Sequence, residues 1–347
     1  MIPFLLIVFV IVCIFVYTEE YIEDVKWPVY VAIAIALILI AGLRVVGNDD
    51  DSKNYQIMFD RYDDTLIRLT TEPSFILISS FVHSIKGDIH TLFFIYAVIA
   101  ITMKFVAFKQ LSPMLFASVM VYVSHFFILH DMIEIRVSVA IGFFLLSIKP
   151  MCEGKKKKAF LFLLMALFFH YSSLVLFGLL FLSNNPLSSA WKWVLASIVP
   201  LGYVMFFLHI DLLTTIPIPV IGQKLELYRD MKEIGMFDEI YVFKNPTLLI
   251  KILCFYVLLF YHDVLCQKCS YLPLLMKTMG ISLFCFFAFS SLPVLSGRLY
   301  ELFGAIDIIT IALVIYVLEP KYVAKTMVLL LCSIMLFMDV FVYELIR

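Results

Sequence analysis

The sequence predicts an all-α polytopic integral membrane protein, built as a single multispanning domain over residues 1–347. Three observations support this fold class. The 347 residues are 63% hydrophobic and only 15% charged, whereas soluble domains are about 45–50% apolar and about 25% charged. The mean hydropathy is +1.02, so the polar side chains cannot cover a surface that faces water. The apolar runs are long and continuous rather than alternating, which is typical of helices and not of barrel strands.

Charge and the first residues narrow the class further. The formal net charge is −1, so the chain has no excess of basic residues for a nucleic-acid-binding surface. We expect membrane lipid to surround the protein instead. The chain opens with MIPFLLIVFVIVCIFVY, has no Lys or Arg before Lys26, and shows no small-residue cleavage site. A secretory signal peptide needs a basic start and such a site. We therefore predict an uncleaved first span.

The apolar segments predict the helices. A span needs about 20 apolar residues, and the segments that approach this length are 2–17, 28–43, 89–108, 113–131, 134–149, 159–182, 188–208, 247–262, 271–293, 299–318 and 322–343. A further segment, 73–86, has only about 14 residues and is too short to cross. Together they predict about 11–12 transmembrane or re-entrant helices.

Two polar stretches, 44–72 and 209–246, separate the apolar segments. We predict that both are extracytoplasmic loops. The second one has helical spacing in its middle, which indicates an amphipathic helix on the membrane surface or over a cavity. The residues that define this spacing are Leu225, Tyr228, Met231 and Lys232.

Lysine-rich loops give the orientation, because short cytoplasmic loops are enriched in Lys and Arg. The strongest marker is Lys155–Lys158, and weaker markers are Lys104, Lys109, Lys321 and Lys325. Five single crossings would separate the first marker from Lys321, and an odd number cannot return to the cytoplasm. One of these segments must therefore be a hairpin or a re-entrant segment.

The hairpin is predicted at 159–182, because His170, Tyr171, Ser172 and Ser173 interrupt its centre. Broken helices at membrane depth are tolerated where they line a cavity. We also treat 73–86 as re-entrant. These two choices put both polar loops, Arg136 and Arg298 on the non-cytoplasmic side. If 73–86 crosses instead, the loop 44–72 becomes cytoplasmic.

Neither the cysteines nor the acidic loop predicts a metal site. Cys266 and Cys269 form a lone CxxC without further ligands at metal spacing, which favours two free thiols. Three carboxylates follow Gly47 at 49–51, and such oxygen clusters suit Mg²⁺ or Ca²⁺. The loop lacks the Gly and Glu that complete an EF-hand, and a solvated acidic loop is the alternative. We predict no metal and no cofactor.

Ionisable groups next to apolar segments are the informative candidates, because they cost about 2.5–3.5 kcal/mol inside a span on insertion scales. Arg136 lies near the start of a span and Arg298 lies between two spans. A guanidinium matches phosphate oxygens in a bidentate manner. The alternative for Arg136 is an interfacial side chain that reaches the headgroups, and the alternative for Arg298 is an ion pair with Glu301.

Two further residues have both a chemical and a structural interpretation. His170 lies in a predicted helix break beside hydroxyl groups, which indicates a polar cavity and a base or hydrogen-bond donor; a satisfied core histidine is the alternative. Glu72 precedes Pro73, and this pair is typical of a helix start with Pro in its first turn and an acid favoured by the helix dipole.

Five short motifs occur in order around these residues, and in this order the chain resembles the EpsG family of bacterial polysaccharide polymerases, the Wzy-like proteins. The resemblance covers about residues 1–305. The motifs are Arg44, Gly47, Asp49, Asn54, Tyr55 and Phe59; Glu72, Pro73 and Phe75; Ile135, Arg136 and Ala140; Phe169, His170, Ser172 and Leu174; and Arg298, Leu299 and Tyr300, with a lysine-rich loop before the fourth.

The resemblance implies a multispanning, GT-C-like and Wzy-like helical fold in the bacterial cytoplasmic (inner) membrane. It implies polymerisation of oligosaccharide repeat units carried on undecaprenyl pyrophosphate, at the outer face of that membrane. The substrates would be two such lipid-linked units, and a chain-length regulator protein is a candidate partner. In this family an Asp commonly follows the Gly by two residues and precedes a Tyr by about four. Here Asp49 satisfies the first spacing and Asp51 the second. Ser138 stands where the family usually has Gly.

These expectations give each candidate a role. The leaving group is a lipid pyrophosphate, which needs positive charge more than a proton, so we assign Arg136, Arg298 and Arg44 to the pyrophosphate. The candidates for orienting or deprotonating the acceptor hydroxyl are His170, Asp49, Asp51 and Glu72. Tyr55 and Tyr300 are candidates for stacking on sugar. A membrane O-acyltransferase that modifies the glycan and a flippase for the lipid-linked unit are the alternatives.

Overall fold

The computed structural model describes residues 1–49, 51–208, 210 and 245–346, and every regular element in this part is helical. The α-helices are α1 (Ile2–Thr18), α2 (Lys26–Gly42), α3 (Ser52–Asp60), α4 (Thr65–Thr70), α5 (Pro73–Ser84), α6 (Ile89–Leu111), α7 (Leu115–Val121), α8 (Ile135–Cys152), α9 (Lys156–Phe169), α10 (Ser189–Phe207), α11 (Pro246–Phe260), α12 (His262–Leu265), α13 (Leu272–Ala288), α14 (Pro293–Gly304), α15 (Asp307–Leu313) and α16 (Lys321–Phe337). Two π-helical segments, Tyr122–Ile133 and Met338–Val342, continue α7 and α16. Two 3₁₀ segments are Tyr171–Phe181 and Val314–Tyr316.

The helices confirm the all-α polytopic fold. In the described part of the chain, the helices long and apolar enough to cross a membrane are Ile89–Leu111, Leu115–Ile133, Ile135–Cys152, Ser189–Phe207 and Lys321–Val342. The pair Pro293–Gly304 and Asp307–Tyr316 passes the same test together, but it is bent by 57°. Six further apolar helices have 10–17 residues. The protein is therefore a multi-pass membrane protein, while the predicted number of about 11–12 transmembrane or re-entrant helices includes these shorter ones.

The predicted break at His170 is confirmed. Helix α9 ends at Phe169, and His170 has an extended backbone with φ −153° and ψ 118°. The chain then continues as the 3₁₀ segment and folds back along α9. The Phe160 and Phe177 ring centroids lie 5.2 Å apart, although their residues stand on opposite sides of the break. The segment is thus a hairpin, with His170 at its tip.

Helix α5 is short, as predicted for 73–86. Its 12 residues span about 18 Å, less than the hydrocarbon core of about 30 Å. Lys86 follows it with φ 57°, which reverses the chain into α6. The N-terminal end of α5 faces the tip of the hairpin.

Helices α6 and α8 form the packed centre of the site-bearing half. A Cβ at Gly142 of α8 would lie 2.9 Å from Met103 Cε and 3.0 Å from Met103 Cβ of α6. Those distances are too short for two saturated carbons, so glycine permits this close approach. This contact sets the position of α8 along α6. Arg136 lies in the first turn of α8.

A buried polar network ties the same two helices together. Lys104 Nζ lies 2.5 Å from Asp131 Oδ2 and 2.7 Å from Ser138 Oγ. Tyr122 donates its hydroxyl to Asp131 at 2.6 Å, and so does Ser138. Lys104 is 0% exposed, so its use as a cytoplasmic orientation marker is wrong: its ammonium group pairs inside the core and does not reach the membrane surface.

The second polar stretch lies almost entirely outside the described residues. The predicted amphipathic helix around Leu225 to Lys232 belongs to this part. Helix α10 leads into the stretch at Phe207, and α11 leads out of it at Pro246.

Candidate functional site

Three predicted site residues meet at one end of the bundle, and we call them the Glu72 cluster: Glu72, Arg136 and His170. The Arg136 guanidinium donates a hydrogen bond to the Glu72 carboxylate. His170 Nδ1 lies 3.1 Å from the other Glu72 oxygen. The backbone N–H of Tyr171 also points to this oxygen, at 3.4 Å. The cluster therefore joins α5, α8 and the tip of the hairpin.

The sequence predicts the backbone conformation at Glu72 but not the contacts of its side chain. Pro73 occupies the first turn of α5, as predicted, and Glu72 is its N-cap residue. However, the Glu72 side chain makes no capping hydrogen bond to its own helix. It reaches across to Arg136 and His170 instead. A helix start alone therefore does not account for this carboxylate.

Its surroundings keep the Glu72 carboxylate charged. Burial disfavours the charged form, but the hydrogen bond from His170 and the charge of Arg136 outweigh burial and lower the pKa of Glu72 to about 2. A carboxylate with so low a pKa is a weak base at neutral pH. The geometry thus favours a positioning role for Glu72, which holds Arg136 and His170 in place.

Arg136 forms an ion pair with Glu72, and its side chain is still partly exposed. Its side chain is 22% exposed, and its Nε is buried with no hydrogen-bond partner among the described residues. The guanidinium carbon lies 5.5 Å from the Tyr55 ring centroid and 5.9 Å from that of Phe75. The ion pair with Glu72 argues against a side chain that simply reaches the headgroups. Tyr55 is only 4% exposed, so here it lines the guanidinium rather than offering an open ring face to a sugar.

Four helical segments begin at this end of the bundle. Their N-cap residues are Asp51 for α3, Glu72 for α5, Glu134 for α8 and His170 for the 3₁₀ segment. The unpaired N–H groups at a helix start carry partial positive charge, and they attract anions. The arrangement therefore favours a negatively charged ligand next to Arg136.

Arg44 and Asp49 hold the loop behind the cluster. Arg44 Nε lies 3.6 Å from Asp49 Oδ2, and its guanidinium carbon lies 3.7 Å from the Phe93 ring centroid. Arg44 is only 1% exposed and donates to the Asp131 carbonyl at 3.3 Å. Asp49 Oδ1 accepts from the backbone N–H of Ser52 at 2.7 Å. These contacts anchor the turn before α3 and favour structural roles for both residues.

Asp51 is the N-cap residue of α3 and lies within electrostatic reach of Arg136. Burial, followed by the negative charges of Glu134 and Asp49, raises its pKa, while the charge of Arg136 opposes this effect. The charges of Arg136 and Glu134 therefore both act on the Asp51 carboxylate, whereas the Asp49 carboxylate pairs with Arg44. Of the two spacings seen in the sequence, the one that selects Asp49 picks a carboxylate that Arg44 and the Ser52 backbone N–H already engage.

Arg298 lies within electrostatic reach of Glu134 at the same end. It is exposed, and in the described part of the chain it forms neither a hydrogen bond nor an ion pair, so the alternative ion pair with Glu301 is not formed. Tyr300 lies elsewhere: its ring centroid is 4.2 Å from Lys251 Nζ, and Lys251 pairs with Asp307 at 2.7 Å. The structure thus brings Arg298, but not Tyr300, toward the Glu72 cluster.

The described residues contain no group of three or more His, Cys, Asp or Glu side chains arranged to hold a metal ion. Cys266 and Cys269 are both free thiols. Of the two described carboxylates that follow Gly47, Asp49 holds the turn before α3 and Asp51 is the N-cap residue of α3.

Glu134 is a candidate site residue that the sequence does not single out. A continuous helix through His130, Glu134 and Arg136 would place Glu134 and Arg136 on different faces. In the structure α8 begins only at Ile135, after a π-helical segment. The available signal was the same one that selected Arg136, an ionisable residue between two long apolar runs.

We predict that replacing His170 with alanine lowers activity about tenfold. The substitution removes one hydrogen bond to a charged carboxylate, worth about 1.5–3 kcal/mol, and frees Glu72 to move. Asn at this position can still donate to Glu72, so His170→Asn should retain more activity than His170→Ala. His90→Ala is the matched control. Equal activity in wild type and His170→Ala, at matched amounts of protein in the membrane, would contradict the positioning of Glu72.

Comparison with known proteins gives one match. The model of the EpsG family matches residues 27–347, nearly the whole chain, including the Glu72 cluster and Arg298. No curated protein matches, and no solved structure matches.

Proposed function

Because the chain belongs to the EpsG family, whose members are Wzy-like polysaccharide polymerases, we propose that it joins oligosaccharide repeat units carried on undecaprenyl pyrophosphate. One lipid-linked glycan is the donor, and the non-reducing end of another is the acceptor. The product is a longer glycan on a lipid carrier, together with free undecaprenyl pyrophosphate. This makes the protein a glycosyltransferase of the repeat-unit polymerase type.

The observation that carries the proposal is the Glu72 cluster at the meeting point of four helix starts. Glycosyl transfer from a lipid pyrophosphate develops negative charge on the leaving oxygen. Preorganised positive charge at that position is the largest single contribution that a site of this kind makes. Arg136 and the helix starts supply it, and Glu72 fixes the direction of the guanidinium. Arg298 is an exposed second guanidinium for the same group.

The orientation of α8 and α9 supports a site at the outer face. Helix α8 begins at the cluster and ends at Cys152, next to the lysine-rich loop, and α9 returns from that loop to His170. The 18 residues of α8 span about 27 Å, so the loop and the cluster lie on opposite sides of the apolar layer. With the lysines in the cytoplasm, the cluster faces outward. We place the protein in the bacterial cytoplasmic membrane, with a chain-length regulator as a partner.

Deleting the gene in its host and separating the surface glycan on a gel tests this function. The expected result is that the ladder of polymer lengths collapses to a single repeat unit, and that a plasmid copy of the wild-type gene restores it. Loss of every repeat unit outside the cell would indicate a flippase. An intact ladder that lacks only the mass of an acyl group would indicate an acyltransferase. Either of these results would overturn the proposal.

A further inference from the structure

We propose that Glu134 is the general base that takes the proton from the acceptor hydroxyl. The inference rests on the proposed function and adds a catalytic residue to it. Glycosyl transfer to a hydroxyl needs a group that accepts a proton as the new bond forms. None of the carboxylates selected from the sequence is better placed for that task.

Glu134 lies between the π-helical segment and α8. The π-helical segment ends at Ile133, and Glu134 has φ −95° and ψ 62°, outside the helical region. Its backbone N–H bonds to the Leu129 carbonyl at 3.0 Å, and its own carbonyl accepts from Ser138 at 2.9 Å. Both backbone groups are therefore fixed. π-helical geometry is rare and is frequently found at functional sites, and here a π-helical segment of 12 residues ends directly before Glu134.

The side chain has one partner and one free oxygen. Glu134 Oε2 lies 3.3 Å from His130 Nδ1. His130 is 0% exposed, whereas the Glu134 side chain is 25% exposed. In the described part of the chain the Glu134 carboxylate has no other hydrogen bond. A buried residue thus orients the carboxylate while its second oxygen stays open, which is the arrangement expected of a base held by a third group.

Charged groups surround Glu134 from several elements. His170 at the hairpin tip and Arg298 of α14 bring positive charge toward it. Asp51 before α3 and Glu301 of α14 are the negative groups within electrostatic reach. Because Glu134 lies within electrostatic reach of Arg298, which we assign to the pyrophosphate, an acceptor hydroxyl bound at Glu134 would approach the donor.

The other carboxylates are less suitable. Both oxygens of Glu72 are engaged, one by Arg136 and the other by His170 and the Tyr171 backbone N–H, so neither is free to take a proton. Asp49 Oδ1 caps the turn before α3, and Asp49 Oδ2 faces Arg44. Asp51 remains as the competitor, but no histidine orients it among the described residues. Asp51 is therefore tested beside Glu134.

The proposed step balances as follows. The acceptor O–H proton passes to the free oxygen of Glu134 while the acceptor oxygen bonds to the anomeric carbon of the donor sugar. The bond between this carbon and the pyrophosphate oxygen breaks, and its electron pair leaves with undecaprenyl pyrophosphate. Arg136 and Arg298 face the charge on that group. The proton on Glu134 then exchanges with water through the exposed part of the side chain.

The experiment measures initial rates of the purified full-length protein in lipid nanodiscs. The substrate is the lipid-linked repeat unit isolated from the deletion strain. We expect Glu134→Gln to lower kcat by about 100-fold or more and to change KM less than about threefold. Formate, added as an external carboxylate, should raise the rate of Glu134→Ala but not that of wild type. Glu153→Gln, on the exposed loop at the opposite end, is the matched control.

The outcomes separate the two proposals. If wild type and Glu153→Gln make no polymer, the proposed function fails. If they make polymer and Glu134→Gln keeps full kcat, the function stands and Glu134 is not the base. If Asp51→Asn alone shows the loss in kcat with formate rescue of Asp51→Ala, Asp51 is the base and the inference is overturned. A loss in Glu134→Ala that formate does not rescue also contradicts the inference, since it indicates a structural role.

Discussion

Replacing Arg136 with alanine is expected to abolish polymer formation, with a loss of about 100-fold or more in rate. Removing a single preorganised group that stabilises developing negative charge costs about that much in other enzymes. Here the change also frees the Glu72 carboxylate that Arg136 holds, and leaves that negative charge beside the pyrophosphate. The measurement is the glycan ladder in the deletion strain carrying each variant, with protein levels in the membrane determined in parallel.

Two companion variants sharpen this expectation. Arg136→Lys keeps the charge but loses the planar, two-pronged donor geometry, and should restore only a small part of the ladder. Arg68→Ala removes an exposed arginine of α4 and should leave the ladder intact. A full ladder in Arg136→Ala, with normal amounts of protein, would show that this guanidinium does not contact the leaving group.

Replacing Lys104 with methionine is expected to destabilise the protein severely. The substitution leaves the Asp131 carboxylate, which is 2% exposed, without its cation. Breaking a buried pair in this way costs about 3–5 kcal/mol. Since Ser138 lies two residues after Arg136 and belongs to the same network, activity should fall together with stability. Thermal unfolding of the detergent-solubilised protein, followed by size-exclusion chromatography, measures the effect.

The control for Lys104 is on the same helix. Lys109 is exposed, and its ammonium group lies over the Trp27 ring at 4.1 Å, so Lys109→Met should cost little. The double variant Lys104→Met with Asp131→Asn removes both charges and should recover part of the lost stability. If Lys104→Met unfolds at the same temperature as Lys109→Met, the buried pair contributes nothing and the network is not a structural support for α8.

The sequence predicts those parts of the fold that leave a pattern in neighbouring residues. Long apolar runs predict most helix positions within a few residues, because a bilayer-spanning helix leaves a strong local pattern. The break at His170 was also local, since a His next to hydroxyl groups interrupts an otherwise continuous run. The start of α5 at Pro73 followed from the fixed φ of proline.

Long-range pairings could not be predicted in the same way. The sequence selected Glu72, Arg136 and His170 separately, but nothing in their spacing shows that one carboxylate joins the other two. Lys104 and Asp131 are 27 residues apart, and a lysine inside an apolar run looks like an orientation marker until its partner is known.

The π-helical segment explains the remaining error. A continuous α-helix through 130–136 would turn Glu134 away from Arg136, so the sequence alone does not place the two residues together. The wider turns of the π-helical segment end at Ile133. They change the direction in which the Glu134 side chain points. No propensity in the apolar sequence of this segment distinguishes π from α geometry, so the error has a definite structural cause.

The most direct test of the central claim is synthesis by the purified protein alone. Full-length protein in nanodiscs is supplied with the lipid-linked repeat unit as its only substrate. The account predicts a ladder of lipid-linked glycans, with one undecaprenyl pyrophosphate released for each new linkage and no ladder with Arg136→Ala. The absence of any new glycosidic bond with folded wild-type protein, or a ladder of equal intensity with Arg136→Ala, would contradict it.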